Sequence, residues 1–161
     1  MSHVGDPTRR DFAPLFHGPI SWFSEWPDLN VPRSGALVYT IWRRDGAFMY
    51  VGMAGRNPTP SIKGKGPFGR LNSHASGARS GDQFCIYICD RFVLPSLGNR
   101  LRDIADGTIS LDRETRAYIR SELGYRWQPC GSASDALTLE RAIQRGEAGQ
   151  SCRPLCNGVR A

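Results

Sequence analysis

An arginine and a histidine four residues apart, Arg70 and His74 in Gly-Arg-Leu-Asn-Ser-His, fall on one face of any helix that contains them. Arginine offers a planar fork of donors to a phosphate, and a neighbouring imidazole can pass a proton near neutral pH. Two tyrosines precede the pair, Tyr39 in Leu37-Val38-Tyr39 and Tyr50 in Tyr50-Val51-Gly52. A carboxylate, Glu140, and an amide, Asn157 in Pro154-Leu155-Cys156-Asn157, follow it. Together these types suit work on a phosphate ester: a carboxylate for a hard divalent cation, a guanidinium for the phosphate, a phenol or imidazole for the proton of attacking water. Each residue alone is ordinary, since strand tyrosines mostly pack and helix arginines and glutamates are mostly solvated.

The elements that must position these groups follow from the pattern. Leu37 to Trp42 and Ala47 to Gly52 are β-rich runs separated by Arg43-Arg44-Asp45-Gly46, and Asp-Gly between such runs predicts a hairpin. Residues 54–67, with Pro58, Pro60 and Pro67, read as a loop, and Phe68 to Ser76 as a short helix ended by Gly77-Ala-Arg-Ser-Gly81. Gln83 to Val93 alternates enough to be expected as a third strand. Helices are expected over 96–106 and 112–123, with a short extended piece from Tyr125 to Cys130. A further helix is expected from Ser134-Asp135 to Arg145. The fold class is therefore α+β, a small three-stranded antiparallel sheet flanked by helices, with residues 1–34 as an arm packed on a domain of residues 35–161. In the arm, packing is the better reading of Trp22 and Trp26, with stacking on a nucleic-acid base as the alternative.

In this order, the tyrosine hairpin, the Arg70/His74 helix, the late Glu140 and the final Asn157 resemble the GIY-YIG nuclease superfamily over about residues 36–158. The triplets here are Leu-Val-Tyr and Tyr-Val-Gly, both keeping the tyrosine, and the long loop between Tyr50 and Arg70 is similar to the restriction-enzyme branch. The resemblance implies a metal-dependent endonuclease acting on phosphodiester bonds in DNA. Glu140 would be the sole protein ligand to Mg²⁺, with Mn²⁺ able to substitute, and waters would fill the shell. Arg70 would clamp the scissile phosphate. Tyr50 would be the base towards water, Tyr39 would orient water or contact phosphate, His74 would assist proton transfer or hold the phosphate, and Asn157 would brace the site. Arg56 competes for the arginine role, but its proline-rich surroundings favour Arg70.

Charge fits a polyanionic partner: net charge is +6, and Lys63 and Lys65 are the only lysines among 21 cations. Arg56, Lys63 and Lys65 in the loop and Arg116 and Arg120 in the helical region are the candidate nucleic-acid contacts. One site cuts one strand, so a double-strand break calls for a homodimer or two visits. No apolar run approaches the roughly 18 residues that span a bilayer, and the start shows no secretory core, so the expectation is a cytoplasmic protein without membrane contact.

Three other readings compete. Gly64-Lys65-Gly66-Pro67-Phe68-Gly69, with Asp90 beyond, has the outline of a dinucleotide fingerprint but lacks the strand that should feed it. Cys85/Cys89 and Cys152/Cys156, with Cys130 over, suggest zinc; on a strand, however, Cys85 and Cys89 would stand roughly 13 Å apart, too far to share a metal. A non-catalytic nucleic-acid-binding module on the same scaffold is the alternative to the nuclease.

Overall fold

The computed structural model describes residues 11–55, 66–149 and 153–157. Residues 11–34 pack against the rest of the fold. Helix α1 (Ala13–His17) and strand β1 (Ser21–Trp22) precede a single 3-10 turn, and Leu15, Phe23, Trp26 and Val31 are all buried.

The hairpin forms as the Asp-Gly signal requires, from β2 (Ala36–Arg43) and β3 (Phe48–Ala54), with Gly46 at φ +86° in the turn. A bulge between Ile41 and Trp42 shifts the register. Met49 and Tyr50 thereby join one core cluster while Phe48 joins the other. Helix α2 (Pro67–Ser76) begins on a proline and ends on Gly77 in the left-handed region. A Cβ at Gly77 would strike the backbone of Arg116, so glycine there also permits close helix packing.

The expected strand at Gln83–Val93 is instead helical: α3 (Gln83–Ile88), a π turn over Cys89–Val93, and α4 (Leu94–Leu97). The buried positions are Phe84, Cys85, Ile88, Cys89 and Val93, a helical stripe rather than an alternation, and Asp82 caps the first turn by accepting from the Cys85 amide. β-branched and aromatic content had outweighed spacing in the sequence reading. The helix expected over 96–106 is reduced to α4 and α5 (Leu101–Ala105), broken at Gly98 with φ +57°. Helix α6 (Leu111–Glu122) has Ser110 as its cap.

The missing strand is β4 (Leu123–Cys130), longer than the extended piece expected at Tyr125–Cys130. The sheet is four-stranded and antiparallel, in the order β1-β4-β2-β3, and not three-stranded. Pro129 is tolerated because β1 pairs only with Gly124 and Tyr125, so no ladder bond is asked of the proline on that side. Helix α7 (Ala133–Gln144) is the last regular element among the described residues, with Ser132 accepting from the Asp135 amide at its start.

Helices cover both sheet faces. Leu37, Tyr39 and Ile41 point into a core with Leu71, Phe84, Cys85 and Ile119, while Val38, Val51 and Met53 meet Leu15, Ala136, Leu139 and Ile143 on the other side. Each fully buried side chain of this kind contributes about 1.5–3 kcal/mol. The overall class is α+β, and no helix among the described residues is long and apolar enough to cross a membrane.

Candidate active site

Strand β2 points Tyr39 towards α2, and its hydroxyl lies 2.8 Å from His74 Nε2. Arg70, one turn earlier on the same helix, donates from Nε to the same oxygen over a long 3.4 Å. Tyr50 stands beside Tyr39 with ring centroids 6.3 Å apart, and packs against His74 and Phe84. Gly52 is opposite Tyr39 in the hairpin, and a Cβ there would run into the Tyr39 hydroxyl and crowd the Tyr50 ring. The glycine of Tyr-Val-Gly is thus what lets the Tyr39 ring cross β3.

The N-terminal segment buttresses α2. Trp26 Nε1 donates to Asn72, the Phe68 amide donates to the Pro32 carbonyl, and Arg33 lies 3.7 Å over the Phe68 ring. At the other end of the hairpin, the backbone amides of Leu155 and Cys156 bond to Phe48 and Met49 of β3. Asn157 continues that pairing with its side chain, accepting from the Val51 amide and donating to the Val51 carbonyl, both at 2.8 Å. Asn157 therefore holds the strand that carries Tyr50.

Sequence reasoning missed Asp82. Its carboxylate is buried and lies 2.8 Å from His74 Nδ1, with the other oxygen at 3.0 Å. Burial opposes its ionisation, but the hydrogen bonds of His74, the Ser73 side chain and the Cys85 amide hold its pKa well below the usual carboxylate range. The signal was present: an aspartate followed by a helical stripe is an N-cap signature, and it was hidden by reading the following residues as a strand.

Both tyrosines resist ionisation. Desolvation by burial raises the Tyr39 phenol pKa, with further help from neighbouring Tyr50 and against the lowering effect of Arg70. Burial also raises that of Tyr50, again against Arg70, and Glu140 adds to the rise. At both phenols burial outweighs the neighbouring guanidinium of Arg70. Tyr39 has no solvent exposure, whereas Tyr50 retains 9%.

Glu140 is half-buried on α7, the helix on the opposite face of the sheet from α2, and is within electrostatic reach of the Tyr50 hydroxyl. Among the described residues no three His, Cys, Asp or Glu side chains gather as a metal cage. A cation here would thus rest on Glu140 and water, a donor set that suits a hard ion such as Mg²⁺. The same observation bears on zinc: Cys85 and Cys89 sit a turn apart on helix, not 13 Å apart on a strand, and both are free and buried. Cys85 instead donates to the carbonyls of Ser73 and His74 beneath α2.

Arg56, Lys63 and Lys65 lie outside the described residues. Arg116 is exposed on α6, while Arg120 is turned inward, donating to the backbone carbonyls of Ala75 and Trp26. Arg100 pairs with Asp103, and Asp112 pairs with Arg79. Asp90, the acidic residue of the dinucleotide outline, lies in the π turn and not at a strand end. Compared with family models, curated proteins and solved structures, the chain matches none.

Proposed function

We propose that the chain is a metal-dependent endonuclease of GIY-YIG type that hydrolyses phosphodiester bonds in DNA. The observation that carries this reading is the convergence on Arg70: its guanidinium bonds the Tyr39 hydroxyl and is felt by Tyr50, so a cationic fork sits between two phenols. Tyr39 and Tyr50 come from the hairpin and Arg70 from α2, and Glu140 on α7 acts electrostatically on Tyr50.

Hydrolysis breaks one P–O ester bond as water adds to phosphorus, leaving a phosphomonoester and an alcohol. Arg70 binds the phosphate oxygens and compensates the charge that grows on them. Tyr50, the more open phenol, meets the attacking water in its minor phenolate form and takes one of its protons, while the leaving alkoxide takes a proton from solvent. Tyr39 stays buried and anchors Arg70 to His74, while Asn157 keeps β3 and hence Tyr50 in place. When bound by Glu140 and water, Mg²⁺ or Mn²⁺ would supply Lewis-acid stabilisation and ease the ionisation of water. The exposed face of α6 around Arg116 offers phosphate contacts beside α2.

Supercoiled plasmid incubated with the protein and Mg²⁺ or Mn²⁺ tests the reading, beside an EDTA control and Glu140→Ala. Nicking that needs the metal and vanishes in Glu140→Ala, with DNA binding retained, is the expected result. Salt-sensitive binding without cleavage of DNA or RNA would replace the nuclease with a non-catalytic binding module.

A further inference from the structure

We infer that Asp82 is a positioning residue of this site: its carboxylate fixes His74 in the Nδ1–H form, so that Tyr39 donates to Nε2 and turns its lone pair to Arg70. The inference deepens the nuclease reading and rests on it for its kinetic consequences alone.

The sense of the chain follows from which groups can only donate and which can only accept. Arg70 Nε is a donor without acceptor capacity, and an ionised Asp82 is an acceptor without a proton. Between them lie an imidazole and a phenol. With the carboxylate 2.8 Å from Nδ1, the imidazole proton belongs on Nδ1 and Nε2 presents a lone pair. The Tyr39 proton then points to Nε2 over 2.8 Å, and the phenol oxygen accepts from Arg70. Donation runs in one direction, Arg70 to Tyr39 to His74 to Asp82, and ends on a charge.

Burial makes this order matter. His74 and Tyr39 have no exposed surface and Asp82 has 2%, so a reversed imidazole could not be repaired by water. With the proton on Nε2, Tyr39 would receive two donors, and its own proton would lose its acceptor. Arg70 would then lose its anchor on the helix that presents it to phosphate. Both Asp82 oxygens face Nδ1, at 2.8 and 3.0 Å.

Asp82 also caps α3, so a purely structural role must be separated from an orienting one. Asparagine and serine both cap helices well. Asp82→Asn is nearly isosteric, but its amide can donate to Nδ1 as readily as its oxygen can accept, which releases the tautomer. Asp82→Ser keeps the cap and is too short to reach His74.

The test reads His74 by ¹⁵N-labelled imidazole NMR in the full chain, with the resonance assigned by its absence in His74→Gln. The unmodified protein should show a protonated Nδ1 and a bare Nε2, and Asp82→Asn and Asp82→Ser should show mixed or reversed forms. In the plasmid assay both variants should lose about 10- to 100-fold in kcat, as partners that orient a functional histidine do, with DNA affinity unchanged. A proton on Nε2 in the unmodified protein, or the original tautomer and kcat kept in both variants, would overturn the assignment. Should the unmodified protein cut nothing, the nuclease reading falls, and the imidazole spectra still decide whether Asp82 orients His74.

Discussion

The two faces of the sheet contribute to the site in different ways. On the α2 face, Tyr39, His74 and Asp82 are buried and hydrogen-bonded into one another, and Arg70 is anchored to the end of that chain. On the α7 face, Glu140 is half-buried on a helix whose Ala136, Leu139 and Ile143 are devoted to packing. The first half is built from the protein's own contacts and costs stability to disturb. The second is a single half-buried carboxylate beside apolar packing. Changes on the α2 face should therefore cost stability together with activity, and a change at Glu140 chiefly activity.

The largest effect on rate is expected at Glu140. Glu140→Gln should lower plasmid nicking by about a thousandfold or more, several kcal/mol of lost transition-state stabilisation. Its urea midpoint should stay close to that of the unmodified protein, since glutamine is nearly isosteric with the half-buried glutamate it replaces. The largest effect on stability is expected at His74. His74→Ala leaves a buried carboxylate without its partner, at a cost of about 3–5 kcal/mol by urea denaturation. The double variant with Asp82→Ala should be less destabilised than the two single changes added together, because it removes the orphaned charge. Additive losses would show that the pair is not coupled, and a destabilised Glu140→Gln would erase the contrast between the two faces.

How much of this was legible in the sequence depends on where the information resides. The hairpin was, because Asp45-Gly46 between two β runs is local chemistry, and so was α2, which starts at Pro67 and stops at Gly77. Strand β4 was read only as a short extended piece, because its place beside β2 is a matter of long-range pairing. The segment Gln83–Val93 was misread because its Ile and aromatic content suits a strand while its burial spacing suits a helix. That error concealed Asp82, whose meaning depends on α3 starting there and turning back towards α2. Arg70 and His74 are legible as a pair one helical turn apart whose roles the resemblance implies, but the link from His74 to Tyr39 rather than Tyr50 belongs to the packed core.

The tyrosines sharpen the contrast further. Burial raises the phenol pKa of Tyr50 in spite of Arg70, so a phenolate is a minor species at neutral pH. If cleavage waits on that phenolate, the rate should climb by about tenfold per pH unit through neutrality and still be rising near pH 9. A plateau below about pH 8 would place the base elsewhere in the site. Asp82 acts at the other end of the scale. Its pKa is lower in the folded chain than in the unfolded one, so its contribution to stability is complete above about pH 5 and is lost progressively as acid protonates it. Between pH 5 and 3 the urea stability of Asp82→Asn should therefore fall less steeply than that of the unmodified protein.

The smallest effects concern two arginines four residues apart on α6. Arg120 is spent on the fold: its guanidinium ties the Trp26 and Ala75 carbonyls together and so fastens the N-terminal segment to α2. Arg116 lies on the exposed surface of the same helix. Arg120→Ala should cost about 1–3 kcal/mol, because it leaves part-buried carbonyls without donors, and should leave the salt dependence of DNA binding unchanged in whatever fraction stays folded. Arg116→Ala should leave stability within about 0.5 kcal/mol and reduce the salt slope of binding by about one phosphate contact. Changing both residues together would mix a folding defect with a binding defect, so the single variants are the informative pair. An unchanged salt slope in Arg116→Ala would remove α6 from the DNA path and leave the phosphate contacts to the α2 side of the molecule.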